Sequence, residues 1–164
     1  MPTSATGTSS RVPPRHRRKP PLKLYLQVGS RTVRAPTETQ LRRWASAALK
    51  SPGEITVRIV GTAEGRRLNY RYRGENHATN VLSFPYASHG VLQGDIVLCA
   101  PVIAREARHQ DKTLEAHYAH LTVHAVLHLL GYQHARRSDA ARMEALEKKL
   151  LTKLGYPDPY EGSG

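Results

Sequence analysis

Five of the nine histidines fall inside eighteen residues: His117, His120, His124, His128 and His134. His124 and His128 stand four apart in an apolar-rich stretch that reads as a helix from about Thr113 to Leu130. Both imidazoles then project from one face, roughly 5–6 Å apart at Cβ. Zinc–nitrogen bonds are about 2.0–2.1 Å, and the side chains span the rest, so one ion can bridge the pair. Gly131 lets the helix end and the chain turn through a left-handed conformation. His134, three residues on, can return toward the same ion from another direction. Three neutral histidines with a fourth position left open describe a catalytic zinc site better than a structural one, which four protein ligands usually close.

His117 and His120 share that helix. Ligands at 120, 124 and 128 on a straight helix would stretch over about 12 Å, too far for one ion. These two histidines are therefore expected to form walls or supports. Peptidases of the metzincin type carry H-E-x-x-H-x-x-G-x-x-H, and the His, Gly and His offsets match here. Ala125, however, stands where that pattern has its glutamate, the general base that activates water. Peptide hydrolysis lacks its base, and a different substrate is favoured.

The charge balance says which. The chain has 164 residues, 25 Lys+Arg against 13 Asp+Glu, and a formal net charge of +12. That excess favours an anionic partner. Its length suits one domain, and 39% hydrophobic residues supply a core and exclude a wholly disordered chain. Cys99 is the lone cysteine, which excludes an intramolecular disulfide framework and a multi-cysteine zinc knuckle. No apolar run is long enough to span a membrane. The basic N-terminal run leads into Pro20-Pro21-Leu22-Lys23 rather than an apolar segment, so no secretory signal is expected and the cytoplasm is the expected compartment.

Residues 1–21 read as a flexible basic arm, rich in Ser, Thr, Pro and Arg, and the first acid of the chain is Glu38. The arm is either an electrostatic tether to RNA or a solvated tail. Residues 22–160 read as one catalytic domain, with 161–164 as a tail. Leu22, Leu24, Leu26 and Val28 alternate as a strand, and so do Ile55, Val57 and Ile59. Thr37 to Gln40 has the form of a capping box, opening a helix with Leu41, Trp44, Ala45, Ala48 and Leu49 on its apolar face. Residues 63–73 form a short helix stopped by Gly74; 81–84 and 96–99 are short strands; Pro101 to about His109 and about Ser138 to Leu154 are helices. Interleaved strands and helices predict an α+β fold: a mixed sheet of about four strands with packed helices, and the metal site at the end of a long central helix.

The segment His124 to His134, H-A-V-L-H-L-L-G-Y-Q-H, resembles the H-G-x-L-H-L-x-G-Y-D-H signature of the YbeY-type bacterial rRNA maturation factors, which are single-strand-specific endoribonucleases. Arg73 to Pro85 resembles their R-x-x-D-x-P-T-N-V-L-S-F-P segment. Gly94-Asp95-Ile96 matches their G-D-I strand, and Met143 to Glu147 their M-x-x-x-E. The resemblance runs from about Leu22 to Tyr160. It implies an α+β fold, one zinc ion held by His124, His128 and His134, and a functional arginine at Arg73. It also implies action on single-stranded RNA in ribosomal RNA processing, at the 3′ end of 16S rRNA, and in ribosome quality control, with the ribosome or its small subunit as partner. Departures are Ala125 for glycine, Ala78 for proline, Asn76 for aspartate and Gln133 for aspartate; glutamine before the third ligand can orient it only as a neutral partner.

The chemistry of the residues agrees. Cleaving a phosphodiester requires its non-bridging oxygens to be polarised and its added transition-state charge neutralised. Zinc is a Lewis acid suited to this, and Arg73 offers a planar fork for phosphate. Arg73 is otherwise one more surface arginine beside Arg66, Arg67 and Arg71. Thr79 and Asn80 either bind substrate or cap a turn. Tyr70, Tyr72, Tyr86 and Tyr132 either stack on exposed bases or pack in the core. The nucleophile, water or the RNA 2′-OH, is not legible. Two rivals remain: a non-enzymatic ribosome-assembly factor with structural zinc, and, less favoured, a zinc peptidase with an unusual base.

Overall fold

A computed structural model describes residues 19–29, 34–86, 89–132 and 136–161. Most of the proposed basic arm (1–18), and His134 with Gln133, therefore lie outside the described residues. In chain order the elements are β1 (Leu22–Val28), α1 (Glu38–Ala48), β2 (Gly53–Val60), α2 (Thr62–Arg73), β3 (Val81–Tyr86), β4 (Leu92–Cys99), α3 (Ala100–His109), α4 (Leu114–Leu129) and α5 (Arg137–Leu154). The strands form one mixed sheet in the order β1-β2-β4-β3. β1, β2 and β4 run parallel, and β3 is antiparallel to β4 at an edge. The architecture is α+β, as the interleaved patterns predict.

Local chemistry accounts for the helix ends. The Thr37 side chain accepts from the Gln40 amide while the Gln40 side chain accepts from the Thr37 amide, completing the capping box of α1. Thr113 caps α4 by accepting from the Ala116 amide. Gly74 ends α2 at φ 73°, a left-handed conformation that costs glycine nothing.

The period-2 alternation divides the sheet into two faces. Leu24, Ile55, Val57, Ile59, Ile96 and Leu98 point to one side and form the main core with α1, α4 and α5, around a fully buried Trp44. Val60, Leu82, Val97 and Cys99 point to the other and meet α2 and α3 over only part of that face. β4 is longer than the apolar run 96–99 because Leu92 to Asp95 pair with Gly53 to Thr56 through backbone bonds, which need no hydrophobic alternation. β3 likewise extends to include Pro85, which an edge strand tolerates.

α4 crosses the sheet at a close contact. A Cβ placed on Gly94 of β4 would lie 2.6 Å from Leu129 Cδ2 and 2.9 Å from the Phe84 carbonyl oxygen. A side chain there would displace the Leu129 side chain of α4 and press on the backbone carbonyl of Phe84 in β3.

Candidate metal centre

α4 is apolar on nearly its whole circumference. Between His117 and Leu129 every residue is buried except His120, His124 and His128, which keep partial exposure. These three recur every fourth residue and form one partly exposed stripe, bordered by β3 on one flank and by Glu147 of α5 on the other. His124 and His128 turn their Nε2 atoms toward each other, 3.1 Å apart, with the ring planes at 71°. Two nitrogens bound tetrahedrally to one zinc, each about 2.0–2.1 Å away, would be about 3.3–3.4 Å apart. The pair thus fits a shared cation with little movement; the same spacing is a hydrogen bond when one ring carries its proton on Nε2.

The opposite edge of His124 is held by a carboxylate. Glu147 of α5 is completely buried. Its Oε1 meets His124 Nδ1, its Oε2 lies 3.3 Å from His120 Nε2, and the Tyr160 hydroxyl donates to the same oxygen. Burial works to raise the pKa of Glu147. The hydrogen bonds from His120 and His124 outweigh it and hold the group down at about 2. Burial pushes His120 below the ordinary imidazole range, against the pull of Glu147.

His120, His124 and Glu147 also place one potential ligand atom each within 4.8 Å of one another. Glu147 has no exposure and is bonded by three side chains, an environment that suits a carboxylate behind a histidine better than a ligand in an open site. We expect Glu147→Gln to lower metal affinity about 10- to 100-fold while one ion still binds at saturation. Competition against a chromogenic chelator measures this; loss of all binding at saturating metal would instead make Glu147 a direct ligand.

A cavity of about 580 Å³ opens beside the two Nε2 atoms. Its lining includes Arg73 from the last turn of α2, Thr79 and Asn80 from the α2–β3 connection, Ser83 of β3, and His124 and His128. All the candidate site residues that are described therefore meet at one cavity, although His128 stands 55 positions after Arg73 in the numbering. Asn80 has a local bond as well: its Oδ1 accepts from the Val81 amide at 2.7 Å, and its Nδ2 donates to Glu106 Oε1 at 3.0 Å. A second cavity of about 910 Å³ lies on the far side of Asn80, Val81 and His124, with His117, His120 and Tyr160 on its walls.

Glu106 joins the two sides. Its Oε1 is 3.0 Å from Nε2 of buried His117 as well as from Asn80. Burial would raise the Glu106 pKa, but the bonds from His117 and Asn80 prevail and the net shift is downward. A depressed carboxylate stabilises the fold above its unfolded value, ordinarily 4.5, and that contribution disappears as pH falls through the folded value. The thermal midpoint of Glu106→Gln should therefore drop less than that of the wild type between neutral pH and pH well below 4.5. Melting curves of both proteins across this range check it.

The histidine spacing does not point to Glu147, Glu106 or Tyr160 as site residues. For Glu147 a signal exists: Met143, Glu147, Leu151 and Leu154 form the buried stripe of α5, and a carboxylate in such a stripe requires partners. Of the four tyrosines, Tyr132 packs against the main core near Lys50, whereas Tyr70, Tyr72 and Tyr86 are exposed.

Comparison with known proteins places these features in context. The family model described as Endoribonuclease YbeY matches residues 27–155. A protein of Aromatoleum aromaticum named Endoribonuclease YbeY is 58% identical over 128 residues, covering 78% of this chain and 83% of that one. One of the same name from Nitrosomonas eutropha is 54% identical over 137 residues, covering 84% of this chain and 97% of its own. Among solved structures, a Thermotoga maritima protein determined in solution shares the fold, with a TM-score of 0.53 at 21% identity, over 81% of this chain and 88% of that one.

Proposed function

The chain belongs to the YbeY endoribonuclease family, and we propose that it is a zinc-dependent endoribonuclease that cuts single-stranded ribosomal RNA. The observation that supports this most is the single cavity lined by Arg73, Thr79, Asn80, His124 and His128. It brings a phosphate-binding cation and a pair of metal-binding imidazoles to the walls of the same space.

In this reading His124, His128 and His134 hold one zinc ion. When bound, it supplies Lewis acidity to a phosphoryl oxygen. Glu147 accepts from Nδ1 of His124, which fixes the tautomer and presents the Nε2 lone pair toward His128. Arg73 approaches the phosphodiester from the other wall with its planar fork and neutralises charge that develops on the non-bridging oxygens. Thr79 and Asn80 contact the substrate, with Asn80 held in place by Glu106. The activity belongs to the maturation of 16S rRNA at its 3′ end and to ribosome quality control, with the small subunit as partner. Family membership and the net charge of +12 support this assignment. The cytoplasm is the proposed compartment; among the described residues no helix is long and apolar enough to cross a membrane.

The test is metal analysis of the purified protein followed by incubation with unstructured and duplex RNA, with and without a chelator. The proposal requires bound zinc, cleavage of the unstructured strand, loss of cleavage with chelator and restoration by zinc. Salt-sensitive RNA binding without any cleavage would sink it.

A further inference from the structure

The second face of the sheet is only half covered. α2 and α3 shield Val60, Leu82, Val97 and Cys99, and among the described residues nothing covers the rest of the face. A cavity of about 420 Å³ lies there, bordered by Thr56, Arg58, Tyr72, Phe84 and Tyr86. Tyr72 is 56% and Tyr86 54% exposed, which is unusual for aromatic rings with a core available nearby. Tyr72 and Phe84 pack at a centroid distance of 4.7 Å, and the guanidinium of Arg71 sits 5.8 Å from the centre of the Tyr72 ring.

Tyr72 and Phe84 also line the cavity that holds Arg73, His124 and His128. The open face thus adjoins the metal cavity at the edge strand β3, with Tyr72 and Phe84 lying between the two. The two carboxylates that border this cavity are engaged: Glu64 pairs with Arg58 at 2.6 Å, and Asp95 accepts from the Tyr86 hydroxyl. The flanking helix α2 exposes Arg66, Arg67, Arg71 and Arg73 and carries Glu64 as its one acid.

From this adjacency and charge, we propose that the open sheet face is a stacking platform for unpaired bases of the same RNA strand whose phosphodiester enters the metal cavity. The proposal rests on the endoribonuclease reading of that cavity. Bases present flat faces that stack on Tyr72, Phe84 and Tyr86 whatever their identity, while the α2 arginines follow the backbone. The strand passes over the β3 edge, which selects against a rigid duplex. A protein partner would be expected to use backbone pairing along the edge strand or a larger apolar area, and the surface here is aromatic rings framed by arginine.

Tyr86 is the probe, because it borders the platform and not the metal cavity. Tyr86→Ala and Tyr86→Phe would be compared on unstructured RNAs of roughly four and roughly twelve nucleotides. For the longer strand, Tyr86→Ala should lower kcat/KM about tenfold through KM, the scale of one lost base–aromatic stack. Tyr86→Phe keeps the ring and should match the wild type, and the short strand should be cleaved equally by all three. A non-cleavable long strand carrying 2-aminopurine should be quenched equally by the wild type and Tyr86→Phe, and less by Tyr86→Ala, which keeps Tyr72 and Phe84. Equal kinetics for all proteins on the long strand, or an equal loss on both strands, would overturn the platform; so would quenching by Tyr86→Ala as strong as by the wild type. If the wild type cleaves neither strand, the reading of the metal cavity fails, and the quenching alone then decides the platform: selective loss in Tyr86→Ala supports it, and no quenching by the wild type refutes it.

Discussion

His128→Ala is expected to leave a folded protein with no bound metal and RNA cleavage at the level of a chelated sample, a loss of at least about 10³-fold if the ion supplies several kcal/mol of charge stabilisation. The fold should survive. His128 is partly exposed in the last turn of α4, and alanine is the best helix former, so the truncation opens little core and strengthens the local helix. The ion, by contrast, loses the nitrogen that faces His124 Nε2 across 3.1 Å. Circular dichroism, elemental analysis and cleavage of an unstructured RNA form the complete test. Full activity with unchanged zinc content would remove His128 from the site.

Arg73→Glu should behave differently, keeping its metal while cleavage falls about 10²- to 10³-fold, as when one preorganised charge donor is lost from a transition state. Arg73 lines the cavity but is exposed at the end of α2, next to Gly74, and bonds neither histidine. Reversing its charge puts an anion in the cavity where the proposed function places the phosphate. The helix C-terminus prefers a cation, so a small stability loss, about 0.3–1 kcal/mol, accompanies the change. Steady-state kinetics should show the defect mainly in kcat, and elemental analysis should show zinc equal to wild type. Normal turnover would return Arg73 to the rank of a surface arginine. Together the two variants separate ion binding from charge neutralisation.

Local elements were legible because their causes are local. The Thr37–Gln40 capping box, the Gly74 stop and the alternating Leu22–Val28 strand depend on residues within a few positions, and each takes the expected form. The pairing of His124 with His128 was legible for the same reason, since helical periodicity alone aligns them. The strand order was not, because β2 and β4 pair across the whole of α2 and β3, and nothing within either strand names its partner. Glu147 was visible as a residue but not as a partner of His124, because that contact depends on how α5 packs on α4. Tyr160, near the end of the described chain, was hidden more completely: a tyrosine after two prolines carries no signal that its hydroxyl reaches a buried carboxylate.

Gly94 shows how such hidden geometry would surface in a screen. It bears no functional group, yet it sets the clearance beneath the helix that carries His124 and His128. A survey of inactivating substitutions would therefore rank it beside the histidines and invite a chemical role for it. The distinguishing mark is the pattern of tolerance: at a residue that reacts, loss follows from chemical identity, whereas here it should grow with the volume introduced, alanine being the mildest offender.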